Sequence, residues 1–134
     1  MLGNILLVAA GGAVGSVCRY LLSSVHVASF PWGTLIVNVL GSLLIGLLAG
    51  LSGRGVLSPE LKLLLVTGFC GGFTTFSTFA NESFGMMKAG EVLTAAVYVG
   101  VSVTVGILAV GGGRHCQNLI TTGSTLILPR HAVG

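Results

Sequence analysis

The chain has 134 residues, of which 53% are hydrophobic and only 7% charged, with a formal net charge of +3. That balance excludes a water-soluble globular domain, and six scattered cations that form no basic run exclude a nucleic-acid binder. The length suits a single domain. Four apolar segments, residues 2–27, 30–51, 61–80 and 92–110, are long enough to cross a hydrocarbon core of about 30 Å as helices. The expected class is therefore an all-α, multi-pass membrane protein with four transmembrane helices.

The first segment contains Gly11-Gly-Ala-Val-Gly15, a small-xxx-small pattern that lets two helix backbones approach closely in lipid. No basic residue precedes its apolar start, and Val17 before Cys18 does not suit a lipoprotein-type cleavage site, so the segment is expected to be retained. Arg19, near its end, either snorkels to the interface or faces an aqueous vestibule. Pro31 and Trp32 suit an interfacial start for the second segment. Within it, Thr34, Asn38 and Ser42 recur at i, i+4 and i+8 and form a polar stripe on an otherwise apolar rod. A carboxamide in hydrocarbon must find partners for two donors and an acceptor, so Asn38 is either interhelical glue or part of a site. Gly46 and Gly50 add a second small pair.

A turn rich in Gly, Ser and Pro over residues 52–60 leads to the third segment, which departs from a lipid-facing pattern at residues 68–81, GFCGGFTTFSTFAN. Gly68, Gly71 and Gly72 weaken the helix there and predict a break. Broken backbone at membrane depth is tolerated only where it is buried in protein or lines an aqueous cavity, so the break predicts an ion or substrate site. Thr74, Ser77, Thr78 and Asn81 fall on one helical face, with Glu82 four residues after Thr78. Phe76 and Phe79 lie three apart on a neighbouring face; their ring edges carry partial positive charge and suit an anion, provided that amide or hydroxyl donors help.

In the fourth segment Tyr98 and Ser102 stand at i and i+4, with Gly106 one step further. The tail from Gly111 onward is glycine-rich and polar and is expected to be poorly ordered. Cys18, Cys70 and Cys116 have no C-x-x-C spacing and read as small buried thiols. Arg54, Lys62, Arg114 and Arg130 flank one side of the spans, and Arg19 and Lys88 the other, a bias too weak to fix orientation. Four helices are few to enclose a pore, so a dimer is expected, and mixed orientations permit an antiparallel one.

Three stretches, residues 11–20 (GGAVGSVCRY), 31–41 (PWGTLIVNVLG) and 68–79 (GFCGGFTTFSTF), together resemble the CrcB/Fluc family of bacterial fluoride channels, in order and spacing over residues 1–114. The resemblance implies a passive fluoride-selective channel in the bacterial inner membrane. It would be a dual-topology antiparallel homodimer with two pores and a structural Na+ at the dimer centre. By motif position, Gly71 and Thr74 would give backbone carbonyls to that ion. Phe76 and Phe79 would be the pore phenylalanines, Asn38 the amide donor and Thr34 the hydroxyl one turn before it. Ser77, Thr78 and Glu82 match a polar track, Tyr98 and Ser102 match pore-lining hydroxyls, and Arg19 matches a vestibule arginine. Gly106 stands where some members carry another hydroxyl, and residues 115–134 lie beyond the resemblance.

Other small membrane classes fit less well. A four-helix drug/proton exchanger needs a carboxylate in its first helix, and no Asp or Glu precedes Glu60. An intramembrane hydrolase needs a base inside the bilayer, whereas His26, His115 and His131 fall outside the expected spans. A noncatalytic packing subunit accounts for the glycine pairs but not for a break, a polar stripe and phenylalanines in one place.

Overall fold

The computed structural model describes residues 1–24 and 30–127, with side chains through Gly123; His26 and residues 128–134 lie outside the described residues. Four helical units are long and apolar enough to cross a membrane: Leu2–Ser23, Trp32–Gly53, Pro59–Lys88 and Val92–Gly123. The first two are the single helices α1 (Leu2–Ser23) and α2 (Trp32–Gly53). The third unit is composite. It comprises α3 (Pro59–Lys62), a π-helical stretch (Leu63–Cys70), α4 (Gly71–Phe73) and α5 (Phe76–Lys88), with Thr74 and Thr75 extended between the last two. The last helix, α6, runs from Val92 to Ile127.

Local chemistry sets the ends. Ser58 accepts a hydrogen bond from the Leu61 amide (3.2 Å), and Pro59 opens the first turn of α3, where its missing N–H costs nothing. α2 and α5 stop at matching motifs. Gly55 (φ +71°) and Gly90 (φ +83°) each take the left-handed conformation one residue past the cap. The Val56 and Glu91 amides then reach back to the Leu51 and Met86 carbonyls at 3.2 and 2.9 Å, closing off carbonyls that the helix leaves open.

Two pairs of parallel units pack through glycines. A Cβ on Gly11 or Gly15 would run into the Leu64 or Phe69 carbonyl, and one on Gly72 into the Gly12 carbonyl. Thus α1 lies directly on the π-helical stretch and α4. On the other side, Gly46 faces the Val110 carbonyl and Gly113 faces the Leu43 carbonyl, which brings α2 and α6 together. Lipid offers no hydrophobic drive for helix association, so dispersion across such close contacts must hold the units. Large apolar side chains accordingly point outward: Leu93, Ile107 and Leu108 are all exposed. A compact cluster of Leu35, Met86, Ala95 and Tyr98, flanked by Phe30, Val39 and Phe79, joins α2, α5 and α6 at one end.

Two expectations need correction. Residues 115–127 are not a poorly ordered tail: they continue α6, Gln117 is buried against Gly50, and Arg54 donates to the Asn118 side chain at 2.9 Å. Of the cysteines, Cys70 is buried and Cys18 half-buried, but Cys116 is exposed.

If the glycine contacts hold the fold, Gly46→Leu should destabilise the protein by at least about 1–3 kcal/mol, because its new atoms meet backbone that cannot turn away. Gly100→Ala, where nothing lies within 4 Å, should stay within about 0.5 kcal/mol of the parent. Thermal unfolding of the detergent-solubilised variants reads both.

Candidate functional site

The third unit is broken, but at Thr74 and Thr75 rather than at the glycines, which stay helical; of these, Gly68 and Gly72 serve contact with α1. Thr74 (φ −82°, ψ 157°) and Thr75 (φ −148°, ψ 112°) leave the helical region. The Thr75 amide, which in an unbroken helix would bond the Gly71 carbonyl, donates instead to Asn38 Oδ1 at 2.8 Å. Asn38 Nδ2 returns a bond to the Thr75 carbonyl at 3.0 Å. An amide N–H can only donate, so it must face the carboxamide oxygen, which fixes the orientation of Asn38 and leaves one of its two N–H bonds uncommitted. Asn38 therefore supplies the acceptor that the Thr75 amide loses at the break and adds a donor to the Thr75 carbonyl.

Thr75 also starts the next helix. Its hydroxyl accepts from the Thr78 amide (3.3 Å) and donates to Thr78 Oγ1 (3.0 Å), with Ser77 Oγ 3.5 Å away. The N-terminus of α5, with its unpaired amides and positive dipole end, consequently opens in the middle of the membrane-crossing unit. Sequence reasoning missed Thr75; the available signal was a cap-forming threonine directly before a helical run.

Seven residues on, Glu82 closes a second network. It accepts from Thr34 Oγ1 through Oε1 and from the Tyr98 hydroxyl through Oε2, each at 2.8 Å. Thr34 is buried and Tyr98 fully so, which ties α2, α5 and α6 at one carboxylate. Tyr98 also meets Phe79, with ring centroids 5.2 Å apart. Phe79 stands 5.8 Å from Phe76, whose ring is 78% exposed on the monomer.

Two cavities share Thr75. One, of about 240 Å³, is lined by Arg19 and Ser16 of α1, Thr34 of α2, and Thr75 and Thr78. The other, of about 280 Å³, is lined by Asn38, Gly41, Ser42, Thr74, Thr75 and Phe76. Arg19, Asn38 with its spare amide N–H, Phe76 and the N-terminus of α5 thus line two cavities, and no carboxylate is among the described residues that line either. Such a lining suits an anion. Ser102 lies further along α6, its Oγ buried and without a partner. Gly71 is exposed, and Thr74 Oγ1 donates to the Cys70 carbonyl at 2.9 Å. Among the described residues no group of three His, Cys, Asp or Glu comes together.

Comparison with known proteins accounts for this architecture. Residues 6–114 match the family described as CrcB-like protein, Camphor Resistance (CrcB). The chain belongs to this family. It is 50% identical over 109 residues to a fluoride-specific ion channel FluC of Leptospira interrogans, covering 78% of this chain and 86% of the relative. Proteins of the same name from Methanopyrus kandleri and Chlorobaculum tepidum are 47% and 49% identical over 119 and 120 residues. Those alignments cover 87% of this chain in both cases, and 90% and 95% of the respective relatives.

Glu82→Ala should orphan two buried hydroxyls and destabilise the chain by about 1–3 kcal/mol for each. Adding Thr34→Val and Tyr98→Phe to Glu82→Ala should restore much of that loss, because no donor is then left without an acceptor. Thermal midpoints of the single and triple variants provide the check.

Proposed function

We propose that this family member is a fluoride-selective channel that lets fluoride leave the cell passively through the cell membrane. The observation that carries the reading is the Asn38–Thr75 pair, which holds an open helix N-terminus and a spare amide N–H beside two polar cavities. The relatives, which are named fluoride-specific ion channels, supply the ion.

In this reading fluoride enters past Arg19, whose charge attracts anions at the cavity it shares with Thr34 and Thr78. It then passes Asn38 and the edges of Phe76 and Phe79, with Ser77, Thr78, Tyr98 and Ser102 as further hydroxyls along the way. A small anion gives up its water only where donors replace it, and a narrow apolar wall disfavours larger ions that do not fit. Glu82 positions Thr34 and Tyr98 and keeps its negative charge spent on them.

The working unit in this proposal is an antiparallel homodimer. The exposed ring of Phe76 and the open surface at Gly71 give a second copy somewhere to seat. A structural Na+ would sit on that axis, held by the Gly71 and Thr74 carbonyls. The residues fit such an ion: the break withdraws the Thr75 amide from the Gly71 carbonyl, and a hard cation takes neutral oxygen ligands. When bound, the ion would fix the broken backbone; it has no part in a reaction.

Liposomes loaded with fluoride or chloride and clamped with valinomycin test the proposal. The purified protein should release fluoride rapidly and chloride not at all. Asn38→Asp exchanges a donor for an acceptor, and Phe79→Ile removes a ring edge. Each should slow fluoride release by at least about tenfold while still eluting as a dimer. Equal chloride release, or undiminished flux in both variants, would defeat the assignment.

A further inference from the structure

Ser42 stands one turn beyond Asn38 on α2. Its Oγ lies 3.7 Å from the point that a Cβ on Gly106 would occupy, so the hydroxyl reaches from α2 to the one position in the α6 row Tyr98, Ser102, Gly106 that has no side chain. It also lines the 280 Å³ cavity with Asn38 and Phe76. No hydrogen bond engages the Ser42 hydroxyl among the described residues, although the half-buried or buried hydroxyls of Thr74, Ser83 and Thr121 each donate to the carbonyl four residues back at 2.8–2.9 Å. Ser102 Oγ, one turn before Gly106, is buried and equally unpartnered. Hydroxyls withdrawn from water without a partner are uncommon, because each forfeits its hydration. Ser102 is one such hydroxyl, and half-buried Ser42, facing it from α2 one level further along, turns its unengaged hydroxyl to the cavity that Asn38 also lines; the two mark donors reserved for something that passes.

We propose that Ser42 is an anion-contacting residue of the permeation path, supplying from α2 the hydroxyl that Gly106 does not supply from α6. The inference rests on the anion-channel reading above. A desolvated small anion needs a donor at every level, since one level without a donor is a barrier whatever the others offer. A hydroxyl serves well because it donates without the fixed charge that would trap the ion. Glycine at 106 leaves the space in which the α2 hydroxyl sits.

Fluoride efflux from liposomes is measured for the unaltered chain and for Ser42→Ala, Ser42→Thr, Gly106→Ser and Ser42→Ala/Gly106→Ser. A Cβ at 106 meets Ser42 at an ordinary contact distance, so Gly106→Ser should fold and conduct. Ser42→Ala should lower flux about tenfold, Ser42→Thr should keep most of it, and adding Gly106→Ser to Ser42→Ala should restore it by returning a hydroxyl from the opposite helix. Unchanged flux in Ser42→Ala, or a loss that neither Ser42→Thr nor the double variant relieves, would overturn the role while leaving the channel reading intact. Failure of Ser42→Ala to elute as folded protein would make Ser42 a packing residue and would equally overturn it. An unaltered chain that releases no fluoride would remove the channel reading and this inference together.

Discussion

The reciprocal pair between Asn38 and Thr75 is what permits a helix to be interrupted inside a membrane-crossing unit. Where the helix breaks, the Thr75 amide has no carbonyl to reach back to, and hydrocarbon offers nothing to replace it. A carboxamide carries an acceptor and a donor side by side on one carbon, so a single Asn38 bonds both the amide and the carbonyl of Thr75. Remove either half and the break becomes too costly to keep. Downstream features follow from it: the freed Gly71 carbonyl, the exposed start of α5, and the direction in which Phe76 and Phe79 leave the backbone.

Holding α5 at one end is not enough, because a helix pinned at a single point can still rotate. Thr75, Thr78 and Glu82 share one face of it, and the bonds to Asn38 at the first and to Thr34 and Tyr98 at the last fix α5 two turns apart. Both Thr34 and Asn38 belong to α2, and Tyr98 belongs to α6, which the glycine contacts press against α2. The polar network is thus built on the close-packed pair α2–α6. The other pair, α1 with the first half of the third unit, presents Arg19 and Ser16 to it.

Much of this was legible in the sequence. The stripe Thr34, Asn38, Ser42 followed from helical periodicity alone, and the four spans from hydropathy; of the expected face Thr74, Ser77, Thr78 and Asn81, the last three share α5, whereas Thr74 is extended and lies before it. The location of the break was not legible from glycines, because glycine has two meanings in a membrane helix. It weakens the helix in isolation, and it also admits a neighbouring backbone whose contacts then more than offset that weakness. Gly68 and Gly72 have α1 against them, and they remain helical. The stretch that does break contains two β-branched threonines, of which the second has its own cap to offer and an asparagine across the way. Periodicity within one segment cannot reveal which residue of another segment will face it, so Asn38 stayed open between glue and site. In the structure it is the glue of the site.

The same double meaning explains α6. Gly111, Gly112 and Gly113 read as the end of a helix, yet the helix passes through them to Ile127. Gly113 carries no Cβ because the Leu43 carbonyl of α2 occupies that place, just as Gly46 makes room for the Val110 carbonyl. One turn later Gln117 lies over Gly50, its Nε2 donating to Thr121 Oγ1 at 2.8 Å, so the polar residues of the stretch are tied down within the pair. A run of glycines in a soluble chain argues for looseness because water competes for every exposed backbone group. Where lipid surrounds the helix, those groups have no alternative partner, and the absence of a side chain becomes an invitation to contact instead. The passage of α6 through its glycines is therefore set by the helix that runs beside it and not by the propensities of those residues.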